Sequence, residues 1–361
     1  MKKNVYQSEL DRIGLSDAGK AFMVDGLMEK QLESRSDRSR CWRRHGLAAA
    51  LAVALLVGTA AAAVVSLWDG YFGHLDEEQR GVVEHLSETL PAAVTCNSAT
   101  ITPLDAFGAG GVLYLMLEVE APAGTRLPVL EEEGLYYLAG GAEPEVQARL
   151  ELPDGQAVEN FSYALDVTCL EDEEPDDNRI CLVMKVTAQG DLAGLVLRIP
   201  GLWIWGTDGS FTPVFTGEFT FPLSENMGAE NTVKLDVKSI ATKTPWGPIT
   251  LETLELSPLG VQWTYRIDET TAQAAAQEAA QMSENQAAVQ SADGSDSPME
   301  VELVPGVRMT LVMEDGREIE VNEEFSGKKK DLQICSGIFG APVDLSQASH
   351  LLWGDAKIPV N

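Results

Sequence analysis

FSYALDVTCLEDEEPDDNRICLVMKV, residues 161–186, decides the fold class. Phe161, Tyr163, Leu165 and Val167 alternate with other residues, the acidic run EDEEPDDN follows, and Ile180, Leu182, Met184 and Val186 alternate again. Side chains on an extended strand point to opposite faces in turn, so this period of two predicts a β-hairpin with a charged tip. Upstream, VLYLMLEV (112–119) is apolar on both faces and predicts a central strand. Between 94 and 223 short apolar runs are split by Gly, Pro and acidic turns, which predicts a β-sandwich domain over 92–224. A second, over 231–361, follows from two further alternating sets: Val233, Leu235, Val237 and Val261, Trp263, Tyr265, Ile267. Met309, Leu311 and Met313 then run through the turn Glu314-Asp315-Gly316-Arg317 into Ile319 and Val321. Between them, 268–298 is rich in Ala, Gln, Ser and Glu and reads as a low-complexity insert, helical or disordered.

The β-rich part is preceded by GLAAALAVALLVGTAAAAVVSL (46–67), which carries no charged residue. At 1.5 Å per residue it reaches roughly 33 Å, enough for a ~30 Å hydrocarbon core, so one transmembrane helix in contact with membrane lipid is predicted. Ala60-Ala61-Ala62 admits a cleaved signal as the rival, but the apolar run is long and a further 45 residues precede it. Arg35, Arg38, Arg40, Arg43 and Arg44 before the helix, against Asp69, Asp76, Glu77 and Glu78 after it, predict a cytoplasmic N-terminus and an extracellular C-terminal region. Trp68, Tyr71 and Phe72 sit where an interfacial aromatic belt would lie. Residues 1–45 hold ten Lys/Arg and seven Asp/Glu; with a total of -30, the tail is +3 and the remainder -33. An exterior that acidic repels nucleic acid, so no direct nucleic-acid partner is expected. Over 68–91, Asp76 with Gln79 forms a capping-box pattern, and Leu75, Val82, Val83, Leu86 and Leu90 follow helical spacing up to Pro91, predicting a juxtamembrane helix packed on the first β-domain.

In the cytoplasmic tail, Ser16 and Asp17 start a run of helix formers to Glu33. Leu10, Ile13, Phe22, Met23, Leu27 and Met28 supply an apolar face too small for a core of its own but suited to a partner's groove. A solvated tail is the plainer alternative, since so short a helix is marginal alone.

Strong catalytic and metal motifs are absent: no G-x-S-x-G, H-E-x-x-H, phosphate loop or paired C-x-x-C. The four histidines are His45, His74, His85 and His350. We expect neither an enzyme nor a bound cofactor or metal. The acidic run from Glu171 to Asp177 is the best calcium candidate, but it lacks EF-hand spacing and reads as a solvated tip. Gly201-Leu202-Trp203-Ile204-Trp205 admits a stacking platform for cell-wall sugars, although an aromatic strand ending in a turn is read first as a buried one. Of Cys96, Cys169, Cys181 and Cys335, the tempting pair is 169 with 181. Their phases put those two side chains on opposite faces of an unbulged hairpin, so packed thiols are expected. Ala54, Gly58 and Ala62 form a small-residue row of the kind that pairs membrane helices.

SLWDGYFGHLDEEQRGVVEHL and VTCNSATITPLDAFGAGGVLYLMLEVEAPAGT resemble an ectodomain family of unknown function from Gram-positive membrane proteins, often encoded beside extracytoplasmic-function sigma factors and described as anti-sigma-factor-like. TVKLDVKSIATKTPWGPITLETLELSPLGVQWTY to HLLWGDAKIPV is similar to the immunoglobulin-like domain that commonly follows it. The resemblance spans most of residues 66–361 and implies a regulator whose tail, residues 10–32, holds a cytoplasmic sigma factor while the ectodomain meets a cell-surface ligand. Cys41 with His45 departs from the His and paired-Cys pattern of zinc-binding anti-sigma proteins, so such a role would be zinc-free. The expected architecture is mainly β: a short cytoplasmic helix, one transmembrane helix and two extracytoplasmic β-sandwiches. The rival is a surface structural or adhesion protein whose sandwiches bind cell wall or protein.

Overall fold

The computed structural model describes residues 68–88, 90–127, 134–138, 146–158, 161–170, 177–206, 209–225, 227, 231–238, 240–245, 247–274, 277, 307–329 and 332–360. The tail with Leu10, Ile13, Phe22, Met23, Leu27 and Met28, the stretch 46–67 expected to be a membrane helix, Cys41, His45, the tip residues 171–176 and insert residues 278–298 lie outside them. Among the described residues no helix is long and apolar enough to cross a membrane. The chain divides into two units, Met1–Leu67 and Trp68–Asn361, and the second is described below.

That unit is mainly β. Its N-terminal half holds β1 (Val94–Cys96), β2 (Ala99–Ala109), β3 (Val112–Glu120), β4 (Gly134–Tyr137), β5 (Arg149–Glu151), β6 (Tyr163–Cys169), β7 (Arg179–Ala188), β8 (Val196–Gly206) and β9 (Phe211–Pro222). They form a first sheet, ordered β1-β2-β3-β7-β6, and a second in which β8 pairs with β4, β5 and β9. The hairpin read from the sequence is β6–β7, with Leu165 opposite Val186 and Val167 opposite Met184. Alternate residues from both sheets fill one core: Leu113, Leu115 and Leu117 of β3, Leu182 and Met184 of β7, Leu197, Ile199 and Leu202 of β8, and Phe219 and Phe221 of β9.

β3 is central, and its other face is buried too. Phe107, Tyr114, Met116 and Val183 are buried yet belong to no part of that core. Phe107 and Tyr114 lie under the N-terminal segment: a helical stretch over 68–72, then α1 (Glu77–Leu86), opened by the expected capping box between Asp76 and Gln79. Val83 and Leu86 are its buried residues, and Glu88 N donates to Ala106 O beyond its end. Trp68 corrects the expectation of a membrane belt. It is 2% exposed, its Nε1 donates to Asp105 Oδ2 at 2.7 Å, and its ring meets Phe107 edge-on at 4.8 Å. Tyr71 and Phe72 complete the cluster around Tyr114. Rings that sequence position alone assigns to lipid are more stable here, because the outer face of β2 and β3 offers them an apolar floor and a carboxylate for the indole N–H.

The C-terminal half carries β10 (Val233–Lys234), β11 (Ala241–Thr244), β12 (Gly247–Ser257), β13 (Gly260–Ile267), β14 (Met309–Met313), β15 (Glu318–Glu320), β16 (Asn322–Lys329), β17 (Leu332–Ile338), β18 (Ala348–Trp353) and β19 (Ala356–Pro359). A sheet ordered β10-β12-β13-β17-β16, with β11 on β12, and a sheet ordered β15-β14-β18-β19 enclose a second core containing Trp263, Leu311, Phe339, Leu351 and Trp353. Both halves are therefore sandwich-like. The turn at 314–317 closes the β14–β15 hairpin as expected, Met313 N donating to Arg317 O. The alternation over Val233, Leu235 and Val237 yields only two strand residues, with Val233 exposed. The described start of the insert, 269–274, is helical and capped by Asp268, whose carboxylate accepts from Thr271 N.

A built joint connects the halves. Gly110 and Gly111 turn β2 into β3 with φ of 57° and 77°, a hairpin geometry that needs residues free to adopt positive φ. Gln262 Nε2 of β13 donates to Gly110 O and Ala188 O, both at 2.8 Å, and a Cβ on Gly111 would collide with that amide. Lys185 bridges Asp166 of β6 and Glu324 of β16, each at 2.9 Å. Burial lowers the Lys185 pKa, but the two carboxylates outweigh it and hold the ammonium above its ordinary value. Gln262→Ala is expected to cost about 1–3 kcal/mol through the lost pair of hydrogen bonds. Hydrogen exchange should then rise at the β2–β3 turn while both cores stay protected.

Candidate functional site

The outer face of the second sheet, built on β8, carries two of the exposed large apolar side chains among the described residues, Leu135 and Trp205. Leu197 and Ile199 face the core, so strict alternation would send Trp203 and Trp205 inward as well. The pairing of β8 with β9 shifts between Ile199 and Gly201 and again between Leu202 and Trp203. Across these shifts, which begin at Pro200-Gly201 and each take up an extra residue on β9, the phase of β8 inverts: Leu202 and Ile204 now face the core, and the two tryptophans turn to the outer face. Gly201, at φ 146°, occupies backbone space that other residues rarely enter, and a Cβ there would strike Phe215 O. The expectation of a buried aromatic strand holds for Gly201, Leu202 and Trp203 and is corrected only at Trp205. Trp203 is 4% exposed but belongs to no hydrophobic core, and Trp205 is 42% exposed. The available signal was a Pro-Gly pair inside a strand pattern, which marks a bulge.

Around Trp205 the register gathers further apolar groups. Leu135 of β4 lies directly opposite it on one side and Phe211 of β9 on the other. The Trp205 and Phe211 rings are stacked, 6° from parallel with centroids 6.0 Å apart, and Tyr137 tilts against both at 6.4 and 6.0 Å. Leu135 is 60% exposed.

Further along the same face, Arg149 and Arg198 stand opposite each other, with Glu151 buried between them. Both guanidinium Nε atoms donate to Glu151, Arg198 at 2.8 Å, and Arg198 also pairs with Glu218. Beside them lies a cleft of about 250 Å³ lined by Val146, Arg149, Arg198, Pro200, Trp203, Thr216, Gly217 and Glu218. Burial raises the Glu151 pKa, but the hydrogen bonds and charges of Arg149 and Arg198 more than offset it, leaving it below the ordinary 4.5. A carboxylate with a depressed folded pKa stabilises the fold above its unfolded pKa, and that contribution is lost as pH falls through the folded value. Wild type should therefore lose stability on acidification below 4.5 more steeply than Glu151→Gln, as read by thermal melts across that range.

No family model and no curated protein matches this chain. Among solved structures it is similar to a conserved domain protein from Bacillus anthracis, at 12% identity over 78% of this chain and 82% of that chain, with a TM-score of 0.43. At that distance the likeness carries no argument.

The other sequence-derived candidates are not brought together. Asp177, the described end of the acidic tip, accepts from Arg179 N through its own carboxylate, and among the described residues no His, Cys, Asp and Glu group has metal-site geometry. His74 follows the first helical stretch, His85 closes α1 and His350 sits on β18 beside Ser349. Cys169 lies opposite Leu182 and Cys181 opposite Glu118, so the two occupy opposite sheet faces as their phases require. Cys335 is buried, as expected of a packed thiol, and burial pushes its pKa up; Cys169 is exposed, against that expectation. The partner-binding residues of the tail lie outside the described residues.

Proposed function

We propose that this chain is a single-pass membrane signalling protein, an anti-sigma-factor-like regulator whose extracytoplasmic region senses or binds a surface ligand and whose tail, residues 10–32, engages a cytoplasmic sigma factor. On this reading the C-terminal half is an immunoglobulin-like sandwich. One observation supports it most: Trp68, adjacent in sequence to the apolar run 46–67, is already buried and hydrogen-bonded in the β-rich unit. An anchor tolerates a flexible linker at that junction. A transducer does not, because displacement of the outer unit must reach the membrane segment before the chain between them absorbs it.

Two measurements test this. A Gly-Ser linker inserted between Leu67 and Trp68 should leave the protein in the membrane but abolish its control of a transcriptional reporter. Residues 1–45 used as bait should recover a sigma factor, and recovery of no transcription factor sinks the proposal. The exposed Trp205 face favours the adhesion reading as a second possibility. That reading prevails if deleting residues 4–33 leaves transcription unchanged while loss of the outer region alters wall attachment.

A further inference from the structure

The geometry points to the outer face of the β4–β5–β8–β9 sheet as a binding site for a neutral pyranose chain, an inference that rests on the extracytoplasmic reading above. Four large apolar side chains are exposed among the described residues, and two of them, Leu135 and Trp205, are cross-strand neighbours here. With Phe211 and Tyr137 they make a row dominated by rings. An aromatic face carries negative quadrupole density, which attracts polarised C–H groups such as those on the flat side of a pyranose.

The charge of the site selects among ligands that could cover such a row. The four strands bear two arginines and two glutamates, Arg149, Arg198, Glu151 and Glu218, so this sheet is locally balanced on a chain of net charge -30. An anionic polymer would meet the field of the whole chain, and a second copy would bring its own excess of negative charge. A neutral chain of hydroxyls and amides meets neither obstacle. It can stack on the Trp205 row and hydrogen-bond to the guanidinium and carboxylate groups lining the adjoining cleft, whose wall is backed by the buried Trp203. The bulge at Gly201 links the two parts, since it turns both tryptophans to the face that carries Arg198.

The test uses the full-length chain in detergent, with colloidal chitin for retention and chitohexaose for calorimetry. Wild type should be retained and should bind the oligosaccharide. Trp205→Ala should weaken binding about tenfold or more, the factor equivalent to about 1.4 kcal/mol of lost stacking. Leu135→Glu, at a position that contributes little to the core, should also abolish retention, which keeps the test decisive even if Trp205→Ala lowers the melting temperature. Val233→Ala, exposed on β10, should change nothing. Absence of wild-type binding at millimolar oligosaccharide, binding indifferent to both Trp205→Ala and Leu135→Glu, or a dimer dispersed by Trp205→Ala each overturns the inference. Chitohexaose binding does not need the tail, so a failed linker-insertion reporter would remove the signalling proposal and leave this one standing.

Discussion

Trp68→Ala is expected to destabilise the β-rich unit by about 3–5 kcal/mol, the usual cost of truncating a fully buried tryptophan. The side chain is 2% exposed and has aromatic neighbours on several sides, Phe107 at 4.8 Å and Phe72 at 6.1 Å among them. Removing it opens a cavity on the outer face of β3 and takes the indole donor from Asp105. Trp68→Phe separates the two contributions. It keeps most of the ring packing and should cost only the hydrogen bond and some volume, about 1–3 kcal/mol. Chemical denaturation of both variants measures this. A loss below about 1 kcal/mol for Trp68→Ala would mean that the 68–72 stretch detaches readily and cannot carry a displacement of the β-rich unit to residues 46–67.

Gly201→Ala should cost roughly 3 kcal/mol or more, from backbone strain and collision together. At φ 146° an L side chain is strained, and the added Cβ would lie 2.9 Å from Thr216 Cα and 3.1 Å from the Trp203 ring, in addition to its clash with Phe215 O. Backbone atoms of a paired strand cannot move aside as a flexible side chain can. The structural consequence is as informative as the stability: β8 must either break its pairing with β9 or lose the bulge. Losing the bulge would drive Trp203 and Trp205 toward the core phase, so Trp205 fluorescence should shift toward that of a buried indole. A variant that melts like wild type with unchanged fluorescence would show that the bulge does not depend on this glycine.

How much of this was legible in the sequence depended on whether the signal was local. The β6–β7 hairpin, the opposed faces of Cys169 and Cys181, the capping box of Asp76 and Gln79 and the turn at 314–317 follow from periodicity or from residues within four positions of one another. The central place of β3 was legible as well, because apolar residues on both faces imply covers on both. What covers the outer face was not. Position next to an apolar run suggested lipid for Trp68, and only the floor formed by Phe107 and Tyr114 gives it a better environment.

The candidate site shows the same division more sharply. Sequence supplied the tryptophans of β8, the arginines and glutamates of β5, β8 and β9, and even the Pro-Gly pair that marks the slip. It could not choose which face Trp205 takes, because a register shift changes which face the residues beyond it present, and the two shifts here are fixed by pairing with β9, ten and more residues away. By itself, then, the sequence determined the mainly β character, the hairpins and the caps, all set by short-range backbone geometry and alternation. Tertiary structure alone decided that Trp68 is buried, that Gln262 locks the β2–β3 turn, and that Leu135, Trp205 and Phe211 form one row on the outer face, since each depends on which distant strand supplies the neighbour.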